Sequence, residues 1–287
     1  MKISTEINSI AKIVGEERAV EYCGKAGFDC WDFSMFGMCN YDWANKVLLE
    51  SDHPLAGNDY LKFARNLKKI GLDNGIECNQ SHAPFPSSCK ELCAYYERAL
   101  ECTAEAGGKI CIIHPDNNKS PEENAEMYLG LLPFAKSCGV KIATENMWNW
   151  DNEKGHSSFA ACATPASFNA HLDAVNDDYF VACLDIGHAE MKGSDTNAVE
   201  MIYALGDRLQ ALHICDNDKL HDSHMIPFTM DIDFDAIVKA LKDINYKGDF
   251  TLEAAYALHD YTAENVFEGV KKMSDSARKL ANMFEGK

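Results

Sequence analysis

The sequence predicts an α/β protein folded as one (β/α)8 barrel, the TIM-barrel architecture, with residues 1–287 as a single domain. Three observations predict it. Short apolar segments that end in polar residues alternate eight times with longer segments of helical spacing. Gly71, Gly107, Gly139 and Gly248 fall where a helix should stop before the next strand. No linker or shift in composition interrupts the alternation, and 287 residues suit one barrel of about 250 residues with modest insertions. A doubly wound open sheet shares the alternation, but no Gly-x-Gly-x-x-Gly or Walker sequence follows the first strand.

The expected strands cover 2–7, 28–33, 75–80, 109–114, 140–145, 180–185, 209–213 and 249–253. Each is brief with an apolar body, as strands covered on both faces are; Ile110-Cys111-Ile112-Ile113 and Val181-Ala182-Cys183-Leu184 are the plainest. Between them, 57–73 carries Tyr60, Leu61, Ala64, Leu67 and Leu72 on an i, i+3/i+4 rhythm. Residues 88–106, 121–137, 164–175, 195–205 and 233–243 read as helices in the same way, and 262–284 closes the chain. Ser120-Pro121-Glu122-Glu123 and Thr164-Pro165 each set a cap before proline at the first helical position.

Composition narrows the function. The 46% apolar and 25% charged content excludes a collagen-like or largely disordered chain. With 45 acidic and 27 basic side chains the net charge is −18, which disfavours nucleic acid or an anionic membrane surface as partner. No apolar run of about 18 residues is present, and Met1-Lys2-Ile3-Ser4-Thr5-Glu6 has no apolar signal region, so a cytoplasmic location is expected. The twelve cysteines contain no Cys-x-x-Cys; Cys89 and Cys93 are spaced i, i+4, and several others sit inside apolar runs. They are expected to be reduced packing residues.

The chemistry of such a barrel belongs at the C-terminal ends of its strands. Here the third strand runs into Gln80-Ser81-His82, the fourth ends at His114, the fifth at Glu145 and the sixth at Asp185, with His188 three residues on. The seventh ends at His213 and the eighth at Glu253, while the loop after the seventh adds Asp216, Asp218, Asp222 and His224. Carboxylates crowded at one mouth repel each other and lose hydration unless something positive lies among them. A divalent metal (Mn, Co, Mg or Zn) answers this, since Glu, Asp and His without Cys suit all four. Trp31, Trp43, Trp148 and Trp150 are expected on the same face, where aromatic rings pack against sugar C–H surfaces, and Phe33, Met35 and Phe36 on the same wall. There are only five arginines, Arg18, Arg65, Arg98, Arg208 and Arg278, most of them in expected helices; Lys192 and Lys219 are the nearest basic residues. A phosphate prefers arginine forks or glycine-rich helix starts, so an unphosphorylated sugar or polyol-derived substrate is expected.

The stretches Thr144-Glu145-Asn146, Leu184-Asp185-Ile186-Gly187-His188, Leu212-His213-Ile214-Cys215-Asp216-Asn217-Asp218 and Asp222-Ser223-His224 resemble the xylose isomerase-like TIM barrel superfamily. That group holds sugar isomerases, ketose 3-epimerases, the sugar phosphate isomerase/epimerase proteins and the endonuclease-four-type apurinic endonucleases. The resemblance runs from Ser81-His82-Ala83-Pro84 to Leu252-Glu253. By resemblance to the 3-epimerases, Glu145, Asp185, His213 and Glu253 would bind one metal and His188 would touch the substrate. The reaction implied is proton abstraction α to a sugar carbonyl through an enediolate, with Glu145 and Glu253 as base and acid. A lyase using the same enediolate is an alternative. The resemblance to the apurinic endonucleases implies another: His82, His114, Glu145, Asp185, His188, His213, Asp222, His224 and Glu253 match a set able to hold three zinc ions. His82, His114, Asp222, His224, Trp31 and Trp148 thus stand as substrate contacts or additional metal ligands. Relatives commonly carry Pro-Gly-x-Gly after the Asp-x-His pair, where this chain has Pro227-Phe228-Thr229-Met230; that loop should be more apolar and less free in φ. A non-catalytic barrel is the remaining reading, and helix 262–284 is compatible with a homo-oligomer.

Overall fold

In the computed structural model, which describes residues 1–287, eight parallel strands close into a barrel. They are β1 (Ile3–Thr5), β2 (Cys30–Ser34), β3 (Glu77–His82), β4 (Ile110–Ile112), β5 (Lys141–Glu145), β6 (Phe180–Asp185), β7 (Leu209–His213) and β8 (Phe250–Leu252). β2 to β7 form one continuous six-stranded sheet in chain order, and β1 pairs with β8 in register Ile3↔Phe250 to Thr5↔Leu252. Single bridges at Glu6↔Asp32 and Ile214↔Leu252 join this pair to both edges and complete the ring.

Helices α1 (Asn8–Val14), α2 (Glu16–Ala26), α3 (Tyr60–Asp73), α4 (Lys90–Cys93), α5 (Tyr96–Ala106), α6 (Pro121–Cys138), α7 (Pro165–Val175), α8 (Ile186–Glu190), α9 (Ala198–Leu205), α10 (Phe234–Asp243) and α11 (Val266–Glu285) accompany the strands. The cap motifs work as their chemistry requires. Ser120 and Glu123 form a reciprocal capping box on α6, and the Thr164 side chain accepts from Ser167 N on α7. Gly107 and Gly139 end α5 and α6 at left-handed φ of +98° and +66°.

Several expectations need correction. α1 and α2, broken at Gly15, occupy a stretch the periodicity reading leaves unassigned. The helix expected over 88–106 is two, and two antiparallel hairpins, Asn40–Asp42 with Val47–Leu49 and Asn149–Asp151 with His156–Ser158, rise from loops. Gly71 does not stop α3, which runs on to Asp73. It is glycine because a Cβ there would stand 2.8 Å from Trp31 Nε1. No helix is long and apolar enough to cross a membrane. All twelve cysteines are free thiols.

Alternation along the strands decides what faces the barrel axis. Ile112, Ala143, Val181, Cys183 and Ala211 form a small apolar plug inside the ring, apart from the large core between strands and helices. Glu145 is the register partner of Cys183 at the top of this plug, and His213 that of Asp185, so the acids and the imidazole sit at the plug's upper edge. Hydrocarbon floors the site and excludes water from below.

Candidate metal centre

Three clusters of ligating side chains meet at the C-terminal mouth. In the central one, His213 Nδ1 lies 3.2 Å from Glu145 Oε1 and 3.2 Å from Glu253 Oε2. In the second, His82 and His114 approach Nε2 to Nε2 at 2.8 Å, and Glu145 Oε2 is 3.3 Å from His114 and 3.8 Å from His82. In the third, Asp222 Oδ2 lies 3.0 Å from His224 Nε2 and 3.4 Å from His188 Nε2. Asp185, fully buried, accepts from the His188 backbone N–H through Oδ1. Glu145 joins the first two clusters, and His188 Nδ1 stands 3.9 Å from both Glu145 and Asp185.

The imidazoles are held in defined tautomers. Nδ1 of His82, His188 and His224 donates to the backbone carbonyls of Ala83, Asn146 and Glu253 at 2.7, 2.8 and 2.7 Å. A carbonyl can only accept, so Nδ1 carries a proton in each ring and Nε2 is the atom left to bind a cation once it gives up its own. His213 is reversed: Nδ1 faces Glu145 and Glu253, while Nε2 lies 3.5 Å from Asp32 Oδ2. Asp32 itself accepts from the Gln80 amide at 2.9 Å.

Charge in this site is unresolved without a cation. Burial lifts Glu253 to about 8, with Glu145 and Asp185 adding to the rise against His213 and His224. Burial would also raise Glu145, yet His213 and His114 hold it well below the ordinary carboxylate range. Burial pushes His188 down, but Asp185 and Asp222 outweigh it and bring the imidazole to about 10. His82 is pushed well below its ordinary value by burial and by His114. Glu145 Oε2, Asp185 Oδ2 and Asp222 Oδ1 are buried with no hydrogen-bond partner. Unpaired buried oxygens of this kind are costly unless a cation takes them up. The donor set therefore fits a divalent metal, with oxygen and imidazole ligands and no thiolate required.

The mouth opens into a cleft of about 560 Å3 bordered by His82, His114, Glu145, His188, Asp222, His224 and Glu253. Trp148 borders it too, its ring 6.3 Å from His188. Trp31 does not. It is fully buried, tilted against Phe33 at 5.4 Å and seated over Gly71, on the helix side of β2. Phe33 and Met35 are likewise core residues, whereas Phe36 borders the cleft. Parity along β2 was the available signal: if Trp31 and Phe33 face the helices, Asp32 faces the axis. Trp43 lies at the rim, and Trp150 stacks on His221 at 5.8 Å.

Other acids have structural duties. Asp216 is fully buried, and its carboxylate accepts from the backbone N–H groups of Asn217, Thr229, Met230 and Ile232. It anchors the 227–230 loop. Phe228 keeps the left-handed φ of +70° that a glycine would take and packs on Phe234 at 5.1 Å. Lys279 caps its ring at 3.5 Å. Neither Phe228 nor Met230 borders the cleft. Lys219 pairs with Glu190, and Lys12 is the one Lys or Arg in the cleft lining. Asn146, given no role by the sequence, ties β5 to β6 with its side chain, which accepts from Asp185 N and donates to Asp185 O.

Comparison with known proteins agrees with this architecture. The chain is 26% identical over 190 residues to the uncharacterised protein MJ1311 of Methanocaldococcus jannaschii, covering 60% of this chain and 62% of that protein. It is 36% identical over 78 residues to the uncharacterised protein y4fM of Sinorhizobium fredii, covering 27% and 24%. The matches thus span less than two thirds of either relative's length. Among solved structures, a D-tagatose 3-epimerase-like protein superposes with a TM-score of 0.74 at 18% identity, over 100% of this chain and 99% of that one. The IolI protein with a bound zinc atom gives 0.69 at 20% identity, over 98% and 99%. The 3-keto-D-glucoside 4-epimerase YcjR of E. coli gives 0.67 at 17%, over 98% and 99%. The family description "Xylose isomerase-like TIM barrel" matches residues 20–281, and the chain belongs to that family.

Proposed function

We propose that this chain is a metal-dependent sugar epimerase or isomerase that moves a proton α to a carbonyl through an enediolate. One observation carries the reading: the Glu145 and Glu253 carboxylates approach the same atom, His213 Nδ1, each at 3.2 Å, from strands on different sides of the barrel. A divalent ion held by Glu145, Asp185, His213 and Glu253 would supply Lewis acidity toward the carbonyl and neighbouring hydroxyl oxygens of the substrate. Glu145 and Glu253 stand ready to take a proton from one side of a bound sugar and return it from the other. His188, its Nε2 turned to the cleft, donates to or accepts from a substrate hydroxyl. Trp148 and Phe36 pack against the sugar's C–H faces. The apolar plug beneath Glu145 excludes water from below. Lys12 alone among lysines and arginines borders the cleft, which favours an unphosphorylated substrate.

The test is a panel of ketoses and aldoses in heavy water, with protein loaded with Mn, Co, Mg or Zn. Deuterium entering one carbon of a sugar, abolished by Glu145→Gln and by Glu253→Gln, is expected. Turnover at near wild-type rate in either variant would overturn the base assignment. A lyase acting through the same enediolate would instead give an eliminated product with no epimer.

The His82–His114–Glu145 and His188–Asp222–His224 clusters favour a second reading, a zinc phosphodiesterase of the apurinic endonuclease kind. Against it stand the net charge of −18 and a cleft with Lys12 as its one Lys or Arg. Three zinc ions per chain together with nicking of abasic DNA would establish it.

A further inference from the structure

A row of aromatic rings climbs out of the cleft and ends in solvent. Phe85 lies 5.6 Å from His82 and 5.0 Å from His114 between ring centroids, and Phe36 lies 4.9 Å from His82 and 5.1 Å from Phe85. Trp43 continues the row at 6.0 Å from Phe85. All of these rings border the same cleft. Trp43 is 60% exposed, and Tyr41 braces it edge-on at 5.0 Å. It sits in the turn between Asn40–Asp42 and Val47–Leu49, strands that pair only with each other. The hairpin therefore adds nothing to the barrel's ladder; what it does is hold an indole beside Phe85 at the mouth. An indole held this exposed at the edge of a cleft marks a place that something covers.

The covering group can be characterised. It lies in line with the acid–imidazole clusters, so it belongs to whatever occupies the cleft. It is uncharged, because no lysine or arginine other than Lys12 borders the cleft. It is a ring with an apolar face, because aromatic platforms select such faces. The cleft, at about 560 Å3, falls within the roughly 300–1,000 Å3 of sites for drug-sized ligands and offers more room than one hexose fills.

We propose that the cleft takes a carbonyl-bearing sugar that carries a second, uncharged ring through a glycosidic link, with that ring stacked on the Trp43–Phe85 platform. This rests on the epimerase or isomerase reading above and names its substrate class: a linked two-ring compound in place of a free monosaccharide. The second ring is another sugar or an aryl group, and the two are separable by experiment.

The experiment is calorimetric titration of the full-length, Mn-loaded protein with fructose and with ketose disaccharides that attach glucose at different positions, turanose, maltulose and isomaltulose. A second arm compares the methyl and phenyl β-glycosides of 3-keto-D-glucose. At least one two-ring compound should bind about five- to tenfold tighter than its one-ring counterpart. Trp43→Ala should abolish that ratio and Trp43→Phe should keep most of it. A gain only in the disaccharide arm identifies the second ring as sugar, and a gain only in the phenyl arm as aryl. The proposal is overturned if no two-ring compound binds tighter than its counterpart, or if the ratio survives in Trp43→Ala. It is also overturned if sedimentation shows Trp43→Ala turning an oligomer into a monomer, which would assign the platform to a second copy of the chain. Deuterium exchange into a free ketose without any two-ring preference defeats this proposal alone. A Trp43-dependent preference with no exchange into any sugar defeats the epimerase reading alone.

Discussion

The Nε2 atom of His213 lies 3.5 Å from Oδ2 of Asp32, so one imidazole bridges a buried carboxylate beneath it and the Glu145–Glu253 pair above. A carboxylate behind a ligating histidine fixes its tautomer and raises its basicity. Asp32→Asn keeps the shape and removes the charge. It should weaken metal binding by about 10- to 100-fold, read by competition with a chelating dye at fixed pH. Unchanged affinity would reduce Asp32 to a packing partner of Gln80.

Stability of the metal-free chain should fall as pH rises from about 5 to about 9. His188 is held at about 10 and Glu253 at about 8, above ordinary values of 6.5 and 4.5. In both cases the folded chain retains a proton that the unfolded chain has released. Each contribution is complete below the ordinary value and lost as pH passes the raised one. Urea unfolding at pH 5, 7 and 9 should show the decline, and Glu253→Gln should make it shallower. A metal-free chain that grows more stable over this range would contradict the charge arrangement described. Saturating Mn should raise the melting temperature most at the alkaline end, where fewer protons compete for the same atoms.

Gly71→Ala tests the position of Trp31. The new methyl would stand 2.8 Å from Trp31 Nε1 and 3.1 Å from the Ile76 carbonyl oxygen. Overpacking of this kind costs about 1–3 kcal/mol, so the urea midpoint should drop. Metal affinity of the folded fraction should stay as it was, because Trp31 lies on the helix side of β2. A selective loss of metal binding at unchanged stability would return Trp31 to the site.

Asp216→Ala should destabilise the chain by about 2–4 kcal/mol, since four backbone N–H groups converge on that one carboxylate. Hydrogen exchange should quicken first at Thr229, Met230 and Ile232. Fast exchange confined to Asp222 and His224 instead would mean that the carboxylate serves the cleft.

The legible part of this protein is the part governed by short-range rules. Glu145, Asp185, His213 and Glu253 stand out in sequence because a strand's last inward position is also its first exposed to the mouth, and a polar residue there breaks an apolar run. Asp32 also faces the axis, but from the middle of β2, and it is flanked by Trp31 and Phe33, whose bulk suggests a sugar-binding wall and hides their parity. The two hairpins were invisible because three-residue strands inside long polar loops have no period to detect. At Phe228 sequence shows that a glycine is missing, but not that the residue takes the glycine's φ of +70° with its ring packed against Phe234 and Lys279.

The ring of strands is closed by β1 and β8, joined to the other six through one bridge on each side. β1 thus finds its ladder partner β8 only across most of the sequence, Ile3 against Phe250. Without that pair, β2 to β7 would be an open sheet with two bare edges, and Glu253, which follows β8, would be missing from the mouth. Long-range closure of this kind slows folding and leaves edges open to mispairing. A cation held by Glu253 together with Glu145 and His213 would tie the end of β8 to β5 and β7 and so act as a pin on the closed ring.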